Sequence, residues 1–187
     1  MQQISQNRPT LKQGHLCLRG PRAQDAKARF NLGNTPEIHH MFGADPAYVF
    51  PITKAHATAW LNAQEIEPLA WIIEYRRRMI GAIRLHSVVP HLLRAEVAVG
   101  ILDPKYLGKG IGSTAIRLLV AHAFGPLLLR RLSLRVVGYN TRAIAAFKKV
   151  GFVEEGRERE AGRVADDWHD DVIMGLLKSD FINGMSA

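Results

Sequence analysis

The sequence has almost no cysteine, no long apolar run and no sign of a secretion signal. Cys17 is the only cysteine among 187 residues, which excludes an internal disulfide bond and a zinc site built from several thiolates, and fits a reducing compartment. No stretch approaches the roughly 20 apolar residues that a membrane-spanning helix needs. The first 14 residues lack an apolar segment behind a basic start, as a secretory signal would have. We therefore expect a cytoplasmic protein without a membrane partner.

Metal ligands and base-stacking aromatics are also sparse. His39 and His40 are adjacent, His86 and His91 are five residues apart, and no carboxylate joins either pair at the spacing of helical metal ligands. We expect no metal site. Aromatic residues make up 7% of the chain, and the basic residues behind its net charge of +8 are scattered. We do not expect a nucleic-acid partner. A nucleic-acid-binding protein would be retained on DNA or RNA, and its affinity would fall steeply with salt.

The chain does have the length and composition of one globular domain. Apolar residues make up 47% and charged residues 22%, which is ordinary for a folded protein. A chain of 187 residues is long enough for one core and short for two. We expect a mobile lead-in over residues 1–14, a single domain over 15–178 and a short tail over 179–187.

The hydrophobic pattern alternates between helical and strand periods. Helices are expected over 21–32, from Thr53 as N-cap to about 64, over 113–124 and over 141–150. Strands are expected over 69–75, 80–89, 95–102, 131–137 and 168–177. Hairpins come first and alternating strands and helices follow, an order that predicts a mixed α/β layer fold.

A glycine-rich segment separates the strand over 95–102 from the helix that follows it. Gly108, Gly110 and Gly112 alternate with Lys109 and Ile111, and two hydroxyl residues come next. The amides of a helix N-terminus bind phosphate well, and glycine leaves the approach open. The spacing fits neither a P-loop nor the dinucleotide fingerprint. A glycine-rich turn without a ligand is the alternative, although three alternating glycines exceed what a turn requires.

Three segments in order resemble the GCN5-related N-acetyltransferases, the GNAT family. They are Leu107–Gly112, the run NTRAIAAFKKVGF at 140–152, and DDVIMGLL at 170–177. The last is typical of the branch with RimJ/RimL-like ribosomal-protein N-acetyltransferases and spermidine acetyltransferases. The resemblance runs from about Leu16 to Leu177. It implies an α/β fold (α+β in its layering) with a mostly antiparallel sheet, splayed central strands and flanking helices.

The resemblance also implies that the chain uses acetyl-CoA as co-substrate. In the family the pantetheine arm lies between the splayed strands, and Gly100 would form a bulge that opens the gap. A backbone N–H near Val99 would bind the thioester oxygen. The cofactor-binding residues expected on this basis are Val99, Ile101, Leu107, Gly108, Lys109, Gly110, Ile111, Gly112, Ser113, Asn140 and Phe147.

Glu96 is the expected catalytic residue, because many family members place a general base at this position. Its alternative role is an ordinary strand-end carboxylate, free in water or paired with Arg84 or Arg94. Phe147 stands where relatives commonly carry a proton-donating tyrosine, and Leu107 replaces the usual Gln or Arg. Glu155 and Glu160 are reserve candidates for the base.

The expected acceptor is a primary amine, either a protein N-terminal α-amine or a small-molecule amine. An α-amine, with an unperturbed pKa near roughly 8, needs less help with deprotonation than a lysine or polyamine at about 10.4. The positive net charge would also repel polyamines. A module that binds acetyl-CoA as a sensor, without turnover, is the alternative. A homodimer is expected from the resemblance alone.

Overall fold

The computed structural model describes residues 8–185. In this part of the chain eight strands form one sheet. They are β1 (Leu11–Gln13), β2 (Leu16–Arg19), β3 (Ala70–Tyr75), β4 (Arg78–Val89), β5 (Arg94–Ile101), β6 (Arg131–Val137), β7 (Val153–Val164) and β8 (Asp167–Leu177). Their order across the sheet is β1-β2-β3-β4-β5-β6-β8-β7, and every neighbouring pair is antiparallel except β5 with β6.

Six α-helices lie within the same described residues. They are α1 (Gln24–Leu32), α2 (Pro36–His40), α3 (Lys54–Ile66), α4 (Ile111–Phe124), α5 (Thr141–Lys148) and α6 (Lys178–Met185). Thr53 caps α3, its hydroxyl accepting a hydrogen bond from the N–H of His56 at 3.1 Å. Every helix and strand expected from the periodicity is confirmed, with ends shifted by a few residues. None of these helices is long and apolar enough to cross a membrane.

The two central strands diverge after a short parallel contact. β5 and β6 pair only at Arg94–Arg131, Ala95–Leu132 and Glu96–Ser133. Beyond that point β5 stays paired with β4 as far as Ile101, and β6 stays paired with β8 as far as Val137. The gap therefore opens between two halves of the sheet that each keep their own hydrogen bonds. This confirms the splayed central strands.

Gly100 does not form the bulge that the resemblance predicted. It pairs regularly with Ala82 of β4. A Cβ at Gly100 would lie 3.0 Å from the ring of Phe42, and one at Gly81 would lie 2.0 Å from the carbonyl oxygen of Gly100. The glycines are needed because a ring and a neighbouring strand approach the backbone closely, not because the strand bends out of register.

Helices cover both faces of the sheet beside the gap. Ala70, Trp71, Ile72 and Ile73 of β3 are all fully buried, although neighbouring residues of a strand face opposite sides. Trp71 lies edge-on to His122 of α4, with ring centroids 5.7 Å apart. On the other face α3 packs against β3, and α1 packs against β4 and α3. Helices thus pack on both faces of the half of the sheet that contains β3 and β4.

Both ends of the described chain are anchored, which differs from the expected lead-in and tail. Arg8 donates to the carbonyl of Glu67 at 2.5 Å, and the indole of Trp71 donates to the carbonyl of Pro9 at 2.8 Å. Phe181 of α6 is buried beside Phe124, with ring centroids 5.7 Å apart. Residues 1–7 of the lead-in and 186–187 of the tail lie outside the described residues.

The periodicity did not reveal β7, the outermost strand of the sheet. Nearly all of its side chains are exposed, so no apolar residue alternates with a polar one. Charged residues at such an edge discourage pairing with other strands. The strands β1 and β2 and the helix α2 were also not expected, because each is too short to show a period. The helix α6 falls in the segment expected to be a tail.

We predict that His122 makes the fold acid-sensitive. Burial lowers the pKa of His122, and its Nε2 has no hydrogen-bond partner among the described residues. The unfolded chain takes up this proton near pH 6.5, before the native protein does, so acidification below that value removes stability. One proton corresponds to a slope of about 1.4 kcal/mol per pH unit. The free energy of unfolding, measured in urea at pH 7.5, 6.5 and 5.5, gives this slope.

Replacing His122 should remove this part of the pH dependence. His122→Phe keeps an aromatic ring and has nothing to protonate, so its stability relative to wild type should rise as the pH falls. His56→Gln, at an exposed position of α3, should leave the slope unchanged. A His122→Phe difference that stays constant from pH 7.5 to 5.5 would contradict the prediction.

Candidate functional site

A cavity of about 310 Å³ occupies the gap between β5 and β6. The strand edge of β5, the segment 106–110, the first turns of α4 and the inner face of α5 form its walls. Residues from the end of α2 and the loop after it form its roof, among them Ile38, Met41 and Phe42. The unpaired edge of β5 is the distinctive part of this lining, because it offers main-chain donors and acceptors to an extended ligand.

The glycine-rich segment forms a left-handed turn that leads into α4. Gly108 has φ +70° and Gly110, the N-cap, has φ +74°. No other atom lies within 4 Å of a Cβ at either position, so backbone conformation requires the glycines and space does not. The first helical hydrogen bond joins the N–H of Thr114 to Gly110. The earlier amides of α4 are therefore free to bind an anion.

Asn140 connects α5 to the roof of the cavity. Its Oδ1 accepts from the N–H of Ala143 at 3.1 Å, and its Nδ2 donates to the carbonyl of Met41 at 2.9 Å. Beside it, the hydroxyl of Tyr139 donates to the carbonyl of His40 at 2.6 Å, and the two rings are stacked with centroids 4.6 Å apart. A buried side chain thus fixes the cavity wall and roof together, through contacts 99 residues apart in sequence.

Glu96 lies where β5 and β6 part, but it does not line this cavity. It is opposite Ser133 at the last parallel pair, on the face of β5 away from α4. Its side chain is 48% exposed, and its Oε2 lies 4.0 Å from Nδ1 of His86. Neither Arg84 nor Arg94 forms an ion pair with it in the described structure. A carboxylate here is accessible to a molecule that approaches the gap from the face opposite to α4.

Comparisons with known proteins address the same region. Residues 15–153 match the family model described as "Acetyltransferase (GNAT) domain". The chain belongs to the GNAT acetyltransferase family. It is 31% identical to "Probable N-acetyltransferase YjcK" of Bacillus subtilis over 55% of this chain and 57% of that protein. It is 33% identical to "Putative ribosomal N-acetyltransferase YdaF" of the same organism over 57% and 58%. The matches thus span little more than half of these two relatives.

A solved structure supports the fold over almost the whole chain. The spermidine N-acetyltransferase of Vibrio cholerae, crystallised with CoA and spermine, superposes with a TM-score of 0.75. The superposition covers 90% of this chain and 99% of the other at 24% identity. The family resemblance and the fold class expected from the sequence are both confirmed.

Ten of the eleven residues expected to bind the cofactor line the cavity between β5 and β6. They are Val99, Ile101, Leu107, Gly108, Lys109, Gly110, Gly112, Ser113, Asn140 and Phe147. The exception is Ile111, whose side chain is buried in the core. Its amide, in the first turn of α4, keeps the expected role as a prediction. No sequence pattern indicated Met41 or Phe42, because both lie in a loop without periodicity.

Basic side chains line the cavity beside the glycine turn and α5. Nζ of Lys109 lies 6.0 Å from the ring centroid of Tyr106, and Arg142 and Lys149 of the α5 region line the same space. Among the described residues no cluster of three His, Cys, Asp or Glu side chains could hold a metal ion. The arrangement is suited to a polyanionic ligand.

The structure shows what Phe147 and the reserve bases Glu155 and Glu160 contact. Phe147 is buried and lies edge-on to Phe152, with centroids 5.4 Å apart, so it provides packing and no proton. Glu155 hydrogen-bonds to both terminal nitrogens of Arg131, one at 2.8 Å. Arg131 holds the pKa of Glu155 below its usual range, which makes Glu155 a poor base. Glu160 is exposed on β7, the outermost strand.

We predict that Gly110→Ala weakens acetyl-CoA binding. Alanine at φ +74° is strained by about 1 kcal/mol, and relief of that strain would turn the first amides of α4 away from the phosphates. The dissociation constant should rise about fivefold or more, as measured by calorimetry.

Gly14→Ala is the matched control for this variant. Gly14 has φ +55° and equally open surroundings, in the turn between β1 and β2. Both variants should lose similar stability, and only Gly110→Ala should bind acetyl-CoA less tightly. Equal affinities in the two variants would show that the turn does not bind the phosphates.

Proposed function

We propose that this protein transfers an acetyl group from acetyl-CoA to a primary amine, with a protein N-terminal α-amine or a small-molecule amine as acceptor. The observation that carries the proposal is the cavity between the splayed strands. It combines an unpaired strand edge at one end with free helix-terminal amides and basic side chains at the other. Few ligands other than an acyl-CoA have a polyanionic end and an extended arm with amides.

The proposed roles of the chain's own residues follow the shape of the cavity. The glycine turn and the first amides of α4 bind the pyrophosphate, and Lys109 adds positive charge. Val99 and Ile101 present their backbones to the pantetheine arm, and Asn140 holds the opposite wall. The N–H near Val99 stabilises the thioester oxygen, which gains negative charge as the amine attacks.

Glu96 is proposed as the general base. It lies on the face of β5 that the amine would approach, on the same strand as Val99, and the described structure gives it no arginine partner. Phe147 has no proton to donate, and the hydroxyl of Tyr139 already donates a hydrogen bond to the carbonyl of His40. We infer that CoA leaves as a thiolate that water protonates, since thiols ionise near neutral pH.

The proposed acceptor class is supported by the similarities to known proteins and by the net charge of the chain. The similarity to YdaF favours the RimJ/RimL-like branch and a protein N-terminus, and the similarity to the spermidine enzyme of Vibrio cholerae favours a polyamine. The net charge of +8 and the lower pKa of α-amines support the first. A cytoplasmic location and a homodimer belong to the same proposal, the former supported by the single cysteine.

The test of the proposal is a direct search for transfer. The purified protein is incubated with acetyl-CoA and separate pools of N-terminal peptides, polyamines, aminoglycosides and amino acids, and products are read by intact mass. A mass increase of about 42 Da in one pool identifies the acceptor class. Tight acetyl-CoA binding without transfer to any pool would replace the enzyme by the sensor alternative.

We predict that Glu96→Gln lowers kcat by about 100-fold or more at neutral pH, because general-base catalysis typically contributes that much. Acetyl-CoA affinity should not change, since the side chain does not line the cofactor cavity. Asp167→Asn, at the exposed start of β8, is the control. If Glu160→Gln abolishes transfer and Glu96→Gln does not, the base has been assigned to the wrong strand.

A further inference from the structure

A second cavity, of about 260 Å³, lies on the face of β5 opposite to α4. Phe42 and Val99 line both cavities. The two spaces therefore meet at the backbone position proposed to hold the thioester oxygen. An amine that attacks from the Glu96 side must pass through or beside this second cavity.

Arg84 is the only charged residue among the described residues that line the second cavity. In the sheet it stands between two alanines, opposite Ala70 of β3 and Ala98 of β5. No hydrogen bond or ion pair connects its guanidinium group to any other described residue. Glu96 is on the same face two pairs further along, but its carboxylate is directed towards His86 at 4.0 Å.

Arg84 is exposed and lines the second cavity, so a ligand can reach its guanidinium group. Trp60 and Phe42 contribute aromatic walls, and the buried Gln64 donates from its Nε2 to the carbonyl of Trp60 at 3.2 Å. The planar guanidinium group binds carboxylate and phosphate through two parallel hydrogen bonds. A cation in such a place repels a second cation and attracts an acid.

The geometry points to an acceptor that carries a carboxylate or phosphate beside its amine, with Arg84 binding the anionic group. This inference rests on the proposed acetyl transfer. Ala98 lies directly opposite Arg84, and Val99 is its neighbour. Cβ atoms of cross-strand and diagonal neighbours are about 5 to 8 Å apart, so we infer that an acceptor reaching both Arg84 and the thioester carries its anion a few bonds from the attacking nitrogen. That separation fits the side chain of the first or second residue of a peptide, or the acid group of a small amine.

The experiment compares acceptors that differ only in charge. One series contains peptides with Glu, Gln, Lys or phosphoserine at the second position. The other contains glutamate and its neutral and amidated analogues, so that a peptide source and a small-molecule source of the anion are distinguished. The expected result is a kcat/KM at least tenfold higher for the anionic member of one series than for its neutral analogue.

Three variants assign this preference to Arg84. Arg84→Gln should bring the anionic and neutral acceptors to within about twofold of each other, mainly through KM. Arg84→Glu should reverse the order in favour of the lysine peptide, a gain that misfolding cannot produce. Arg94→Gln removes a charge from the same face at the other end of β5, outside the cavity lining, and should leave the preference intact.

The outcomes separate this inference from the proposed function. Equal use of anionic and neutral acceptors by the wild type would overturn the inference and leave acetyl transfer standing. A preference that survives in Arg84→Gln would overturn it as well. Absence of transfer to every acceptor, with acetyl-CoA bound, would overturn the proposed function and the inference together.

Discussion

The site depends on the early end of the parallel contact between β5 and β6. After three residue pairs the two strands separate, while each keeps its antiparallel neighbour on the other side. Unpaired main-chain groups inside a sheet are costly unless a ligand or water satisfies them. Here the open edge of β5 lines the first cavity, where water or an extended ligand can reach its main-chain groups.

A single loop connects the two faces of the opened sheet. Phe42 packs over Gly100, and its ring borders both cavities. Before α2, the buried Arg29 of α1 donates to the carbonyl of Gly33 at 2.6 Å and to Oδ1 of Asn34 at 2.7 Å, and Asn34 donates to the carbonyl of Phe50, beyond Phe42 in the chain. Asn140 donates to the carbonyl of Met41. The loop is therefore attached both to the segment before α2 and to the start of α5, and it contributes a wall to each cavity.

The charges of the protein are distributed less evenly than its composition indicates. Several basic residues that look like a solvated surface in the sequence, such as Arg131 and Arg135, pair with carboxylates of the β7 and β8 hairpin. Exposed pairs of this kind add little stability individually. Their consequence is electrostatic, because they neutralise charge beside β7, whereas Arg84 in the second cavity and Lys109 in the first have no ion pair within the described chain.

The sequence by itself determined the family, the order of most elements and most of the residues that the structure brings together around the first cavity. These depend on local signals: periodic helices and strands, three alternating glycines, and Asn140 as the cap of a helix. Only the tertiary structure decided which residues distant in sequence contact one another. It assigned Gly100 to the ring of Phe42, placed Glu96 outside the first cavity, and engaged Glu155 with Arg131. It also revealed β7, whose exposed side chains have no period. Contacts between residues far apart in the chain arise from packing, and no local pattern encodes them.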